Sequence, residues 1–86
     1  WREQKLYIMY GKKRVVINRR NRIIVRGERS NINVGILEYL NGMFKATYLK
    51  KENRFEHTIS EDNSIVLMAN SKEEIRDTIK KEYNIE

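Results

Sequence analysis

Apolar and polar positions alternate in short blocks along this chain, and the blocks predict strands more often than helices. KLYIMY (5–10) is β-branched and aromatic, is punctuated by GKK (11–13), and predicts a first strand. RVVI (14–17) and RIIVR (22–26) flank NRRN (18–21), whose asparagines tolerate turn geometry; they predict a β-hairpin with a four-residue loop. After the glycine of GERSNIN (27–33), Ser30 or Asn31 is available as a helix N-cap. Ile32, Ile36, Tyr39, Leu40 and Met43 then follow at helical spacing, with Val34 and Leu37 widening the stripe, so a helix is predicted. Asn41 and Gly42 would end it, because both accept the left-handed conformation at a helix C-terminus.

The second half repeats the strand grammar. MFKATYLK (43–50) predicts a strand with Phe44, Ala46 and Tyr48 on one side, KENR (51–54) a turn, FEHTIS (55–60) an edge strand, and EDN (61–63) another turn. SIVLMA (64–69) reads as a central buried strand. Asn70 with Glu73 has the form of a capping box opening the helix SKEEIRDTIKKEY (71–83), whose narrow stripe of Ile75, Ile79 and Tyr83 suits a surface helix. Together these predict one α+β domain over residues 1–86: a mostly antiparallel sheet, element order β-β-β-α-β-β-β-α, with two helices packed on it and the hairpin at an exposed edge.

Composition narrows the class. A chain of 86 residues buries only about 60–65% of its unfolded surface, so its core is small. No apolar run approaches the about 20 residues of a membrane-spanning helix, and with no cysteine there is neither a disulfide framework nor a thiolate metal site. An intracellular location, cytoplasmic or nuclear, is expected. The opening at Trp1 rather than a methionine is what a domain excised from a longer chain would show.

Charge changes the picture most. Residues 1–54 hold fourteen Lys and Arg against four Glu, net +10, whereas residues 55–86 hold four against eight acids, net −4. The basic charge concentrates on the hairpin. Period two puts Val15, Ile17, Ile23 and Val25 on one face and Arg14, Val16, Asn18, Arg22, Ile24 and Arg26 on the other, so burial and charge are compatible. Arg19 and Arg20 project from the loop, with Lys12, Lys13 and Arg29 flanking. Like charges facing each other across strands are destabilising, which calls for counter-charge. Nucleic-acid phosphates supply it, and the expected function is a non-catalytic nucleic-acid-binding module whose DNA or RNA phosphates meet Lys12, Lys13, Arg14, Arg19, Arg20, Arg22, Arg26 and Arg29. The bland account is that arginine stems cover Val16 and Ile24 on a solvated face.

The alternative partner is an acidic protein surface. SEDNSIVLMANSKEEI (60–75) places acids in a turn, then an apolar strand, then acids opening a helix. This stretch resembles the acidic loop and helix of the ubiquitin-like head-to-tail interaction domains of the Phox and Bem type. The resemblance implies an oligomerisation module in which Glu61, Asp62, Glu73 and Glu74 dock on Lys5, Lys13 and Arg14 of a neighbouring copy. It is confined to this stretch, and the three-strand opening is longer than that family's.

Nothing in the chain reads as catalytic, and no cofactor or metal is expected. His57, the sole histidine, adjoins Glu56 on an expected strand, where neighbouring side chains point to opposite faces and cannot share a ligand. Glu61 and Asp62 alone make a poor cation site. Tyr10, Tyr39, Tyr48 and Tyr83 read as core or boundary residues, Met43 and Met68 as core filler, and Tyr7 as the one tyrosine near enough to the hairpin to stack on bases.

Overall fold

The computed structural model of the chain describes residues 13–51 and 58–85. Within them lie five strands and one helix: β1 Arg14–Ile17, β2 Arg22–Arg26, β3 Asn31–Leu40, β4 Met43–Leu49, β5 Ser64–Ala69 and α1 Lys72–Glu82. The strands form a single sheet in chain order, β1-β2-β3-β4-β5, with every neighbour antiparallel. Among the described residues only the C-terminal helix packs on it, and its backbone lies mainly against the two outermost strands.

The hairpin follows its sequence pattern. Val15 pairs with Val25 and Ile17 with Ile23, and this face is turned to the core; Val16 pairs with Ile24 and Arg14 with Arg26 on the other. Asn18 N–H donates to the Arg22 carbonyl and Asn21 N–H to the Asn18 carbonyl, both at 3.0 Å, with Asn21 at φ 59°. The loop is therefore the three residues 19–21, a tight turn followed by a left-handed residue, and not the four expected, because Asn18 and Arg22 still bond across it. The Asn18 carboxamide oxygen accepts from the Arg20 and Arg22 N–H groups, each at 3.0 Å, and fixes the turn from within.

The expected helix over residues 32–43 is instead β3, a ten-residue strand. Two features imitate the helical spacing. Ile23 pairs with Gly35 but Ile24 with Asn33, so Val34 is an extra residue at a β-bulge. Beyond it the inward phase changes: Ile32 and Val34 face the core, and then so does Leu37, three positions on. In addition the apolar residues Ile36 and Leu40 lie on the opposite, exposed face. Asn41 and Gly42, at φ 51° and 81°, are not a helix cap; they are the two central residues of the β3–β4 hairpin, closed by Leu40 opposite Met43.

Further corrections follow. The apolar run at 64–69 is not buried on both faces: among the described residues β5 is the last strand of the sheet, and Val66 and Met68 are exposed, so Met68 is not core filler. Tyr39, expected in the core or its boundary, is 63% exposed. Residues 58–60 are not strand. The α1 cap is Ser71 rather than Asn70: the Ser71 hydroxyl accepts from the Glu74 N–H at 3.2 Å, and Glu74 reaches back to the Asn70 N–H at 3.1 Å. The acids Glu73 and Glu74 in the first turn and Lys80 and Lys81 in the last do complement the dipole. The strand expected at 5–10 lies outside the described residues.

The core gathers Val15, Ile23, Val25, Val34, Leu37, Ala46 and Tyr48 with Ile75 and Ile79 of α1. Gly35, opposite Tyr48, permits a close strand approach; a Cβ there would sit 2.3 Å from the Thr47 carbonyl oxygen and 2.7 Å from Tyr48 Cβ. The end of α1 is tied down by Tyr83, whose hydroxyl donates to the Leu49 carbonyl at 2.6 Å while its ring meets Tyr48 edge-on at 6.3 Å.

Candidate nucleic-acid interface

The face of the sheet turned away from α1 carries the candidate site. Its positions are fixed by register: Arg14 and Val16 on β1, Arg22, Ile24 and Arg26 on β2, then Asn31 opposite Arg26, Asn33 opposite Ile24 and Ile36 opposite Arg22 on β3. Arg14, Arg22 and Arg26 are exposed, as are Asn31 and Asn33, while Val16 and Ile24 are half-buried beneath them. No carboxylate occupies these positions. Among the described residues, the first acid on this face is Glu38, which lies opposite Lys45 of β4 and has a cation of its own to face.

Arg19 and Arg20 extend the basic surface off the end of the sheet. Both are exposed at the tip of the turn, and the backbone beneath them is held by the two bonds to Asn18. Lys13, also exposed, precedes β1, and exposed Arg29 lies in the tight connection from β2 to β3, closed by Gly27 N–H donating to the Ser30 carbonyl at 2.8 Å. Lys12 lies outside the described residues. The hairpin therefore joins Arg14, Arg22 and Arg26 along one face to Arg19 and Arg20 at its tip. Among the described residues none of these five arginines forms an ion pair.

Sequence reasoning missed three polar members of this surface, Asn31, Asn33 and Lys45. The first two were hidden by the helical reading of β3. Lys45 faces the arginine side because β4 alternates, with Phe44, Ala46 and Tyr48 turned to the core side. A stacking platform is not assembled on this face from the described tyrosines. Tyr39 packs on Phe44 with ring centroids 4.7 Å apart, and Lys72 Nζ stands 5.9 Å from the Phe44 ring, but register sets this cluster on the opposite face. Tyr7 and His57 lie outside the described residues.

The acidic residues of the alternative reading do not converge. Glu61 and Asp62 are in the turn leading into β5, and Glu73 and Glu74 are in the first turn of α1, beyond its other end. A six-residue strand separates the pairs, about 17–20 Å. Glu74 is further occupied with the cap of α1. Among the described residues, no helix is long and apolar enough to cross a membrane. Comparison of the chain with protein-family models, curated proteins and solved structures finds no match.

Proposed function

We propose that this domain binds nucleic acid without catalysing a reaction, through phosphate contacts from the β1–β2 hairpin. One observation carries the reading: among the described residues, one hairpin exposes five arginines with no carboxylate between them, three along a sheet face and two at a turn tip. Guanidinium groups bond phosphate oxygens in bidentate fashion, and each phosphate neutralised releases condensed counterions. The β1–β2 turn protrudes at the end of the sheet, so Arg19 and Arg20 at its tip reach into a groove while Arg14, Arg22 and Arg26 meet the flanking backbone. Asn31 and Asn33 add neutral donors and acceptors to the same face. Such a partner goes with an intracellular location.

The test is fluorescence anisotropy with labelled duplex DNA, single-stranded DNA and RNA across a salt series, beside a variant with Arg19, Arg20 and Arg22 changed to alanine. Binding whose logarithmic salt slope falls by about 2–3 in the variant is expected, since each phosphate contact contributes about 0.9. The runner-up partner for these arginines is an acidic protein surface. No binding of any nucleic acid at low salt overturns the first reading in favour of the second.

A further inference from the structure

Charge is not spread evenly along the hairpin face. Where β1 starts and β2 finishes, Arg14, Arg26 and Asn31 stand side by side in one row across three strands, all exposed. The bond from Gly27 N–H to the Ser30 carbonyl makes Arg26 and Asn31 a non-hydrogen-bonded pair, with Cα atoms about 4.5 Å apart; Arg14 lies about 5.5 Å from Arg26 on its other side. Further along the face, Arg22 is the single cation of its row, between Asn18 and Ile36. Arg22 and Arg26 are four positions apart on β2, about 13 Å. Among the described residues no carboxylate pairs with Arg14 or Arg26. Glu28, the nearest acid to Arg26 along the chain, lies past the end of β2 in the turn with Arg29.

A row with two guanidinium groups suits a different anion from a row with one. A phosphodiester inside a nucleic-acid strand carries one negative charge and two free oxygens, enough for a single bidentate fork. A phosphomonoester carries a charge of about −1.5 to −2 at neutral pH and three free oxygens, which match two forks and two positive charges. The Asn31 carboxamide adds a neutral donor at the same level. Direction matters as well. The row of Arg14, Arg26 and Asn31 runs across the hairpin, at right angles to the line from Arg26 through Arg22 to the tip. A strand laid along that line brings successive diesters to Arg22 and to the tip, and only one phosphate to the row at its end.

We infer that Arg14, Arg26 and Asn31 form a subsite for the terminal phosphate of a nucleic-acid strand, a phosphomonoester dianion clamped between two guanidinium groups. The inference rests on the nucleic-acid reading of the hairpin and narrows its ligand to strands that end in a phosphate. A phosphorylated protein side chain offers the same group, but it leaves Arg22 and the two tip arginines, the nearest of them about 13 Å away, without an anion. A strand continuing from its terminal phosphate supplies one to each.

The test is competition for a labelled strand by one short oligonucleotide made in three forms, with a 5′-phosphate, with a 3′-phosphate, and with hydroxyls at both ends. A phosphate at one end is expected to tighten binding about tenfold, the worth of one charge-assisted hydrogen bond. Arg14→Thr and Arg26→Thr should remove that advantage with circular dichroism unchanged; Arg22→Ala should weaken all three forms alike and keep it. Should one threonine variant unfold, the other locates the phosphate. Equal binding of the three forms overturns the inference and leaves the nucleic-acid reading standing, whereas no binding of any form at low salt overturns both. An advantage that survives both threonine variants removes the phosphate from this row. A phosphoserine peptide that competes as well as the phosphorylated strand overturns the strand end in favour of a phosphorylated protein.

Discussion

Arg14 stands opposite Arg26 across the β1–β2 ladder, and both side chains are exposed on the face turned away from the helix. The bond from Asn18 N–H to the Arg22 carbonyl fixes the parity of the ladder, making Arg14 and Arg26 a hydrogen-bonded pair with Cα atoms about 5.5 Å apart. Two cations so placed disfavour the free protein and favour an anionic ligand between or over them.

Replacing one of them is therefore expected to separate stability from binding. Arg26→Thr should stabilise the unliganded domain by about 0.2–1 kcal/mol, with the gain larger at low salt because salt screens the repulsion it removes. Urea unfolding at two ionic strengths measures this. A variant less stable than the parent at low salt would show that the pair is not repulsive.

The turn that carries Arg19 and Arg20 depends on two asparagines. Asn18→Ala removes the acceptor used by the Arg20 and Arg22 N–H groups and should cost about 1 kcal/mol, being at an exposed site. Asn21 sits at φ 59°, so Asn21→Ala should cost about 1–2 kcal/mol while Asn21→Gly is tolerated. Chemical denaturation of the three variants gives the order directly; equal costs for the alanine and glycine variants would speak against the left-handed turn.

Gly35 discriminates strand from helix at the place where pattern reading fails. In a helix, Gly35→Ala would stabilise by roughly 0.5–1 kcal/mol. In β3 the added methyl meets the Thr47 carbonyl oxygen at 2.3 Å, and the variant should lose on the order of 1–3 kcal/mol or fail to fold. Thermal unfolding decides by the sign alone.

What was legible before any coordinates can be traced to phase. The hairpin at 14–26 keeps strict period two on either side of two turn-forming asparagines, so its arms, its buried face and its arginine face could all be read. α1 keeps a helical stripe between acids and lysines, and only its cap moves, to Ser71. β3 could not be read, because the bulge at Val34 changes phase inside the strand and Ile36 and Leu40 are apolar on the uncovered face. A local pattern carries no information about which face a helix elsewhere will cover. The same lack made β5 look buried on both faces, since an apolar run does not say which face will be covered, and Val66 and Met68 are exposed. Of the candidate site, the arginines were legible and Asn31, Asn33 and Lys45 were not, since their placement follows from β3 and β4 pairing.

Alkaline pH should loosen the core through Tyr48. Burial raises the pKa of its phenol above the ordinary 10.0, and the nearby Glu82 carboxylate raises it further. The folded state thus favours the neutral phenol, and this stabilisation is complete below the unfolded value and disappears as pH rises through the folded one. The urea midpoint is expected to fall above pH about 10, and less steeply in Tyr48→Phe. A Tyr48→Phe variant with the parent's alkaline profile would remove Tyr48 from this account.

The central claim, that the basic hairpin meets nucleic-acid phosphates, is tested most directly by titrating an unlabelled short duplex, single strand or RNA into isotopically labelled protein and following backbone amide shifts. The account predicts perturbations concentrated at residues 14–26, reaching Asn31 and Asn33, and strongest at Arg19, Arg20 and Arg22. The amides of α1 should remain still. Perturbations centred on residues 61–75, or a spectrum unchanged at saturating nucleic acid in low salt, would contradict it.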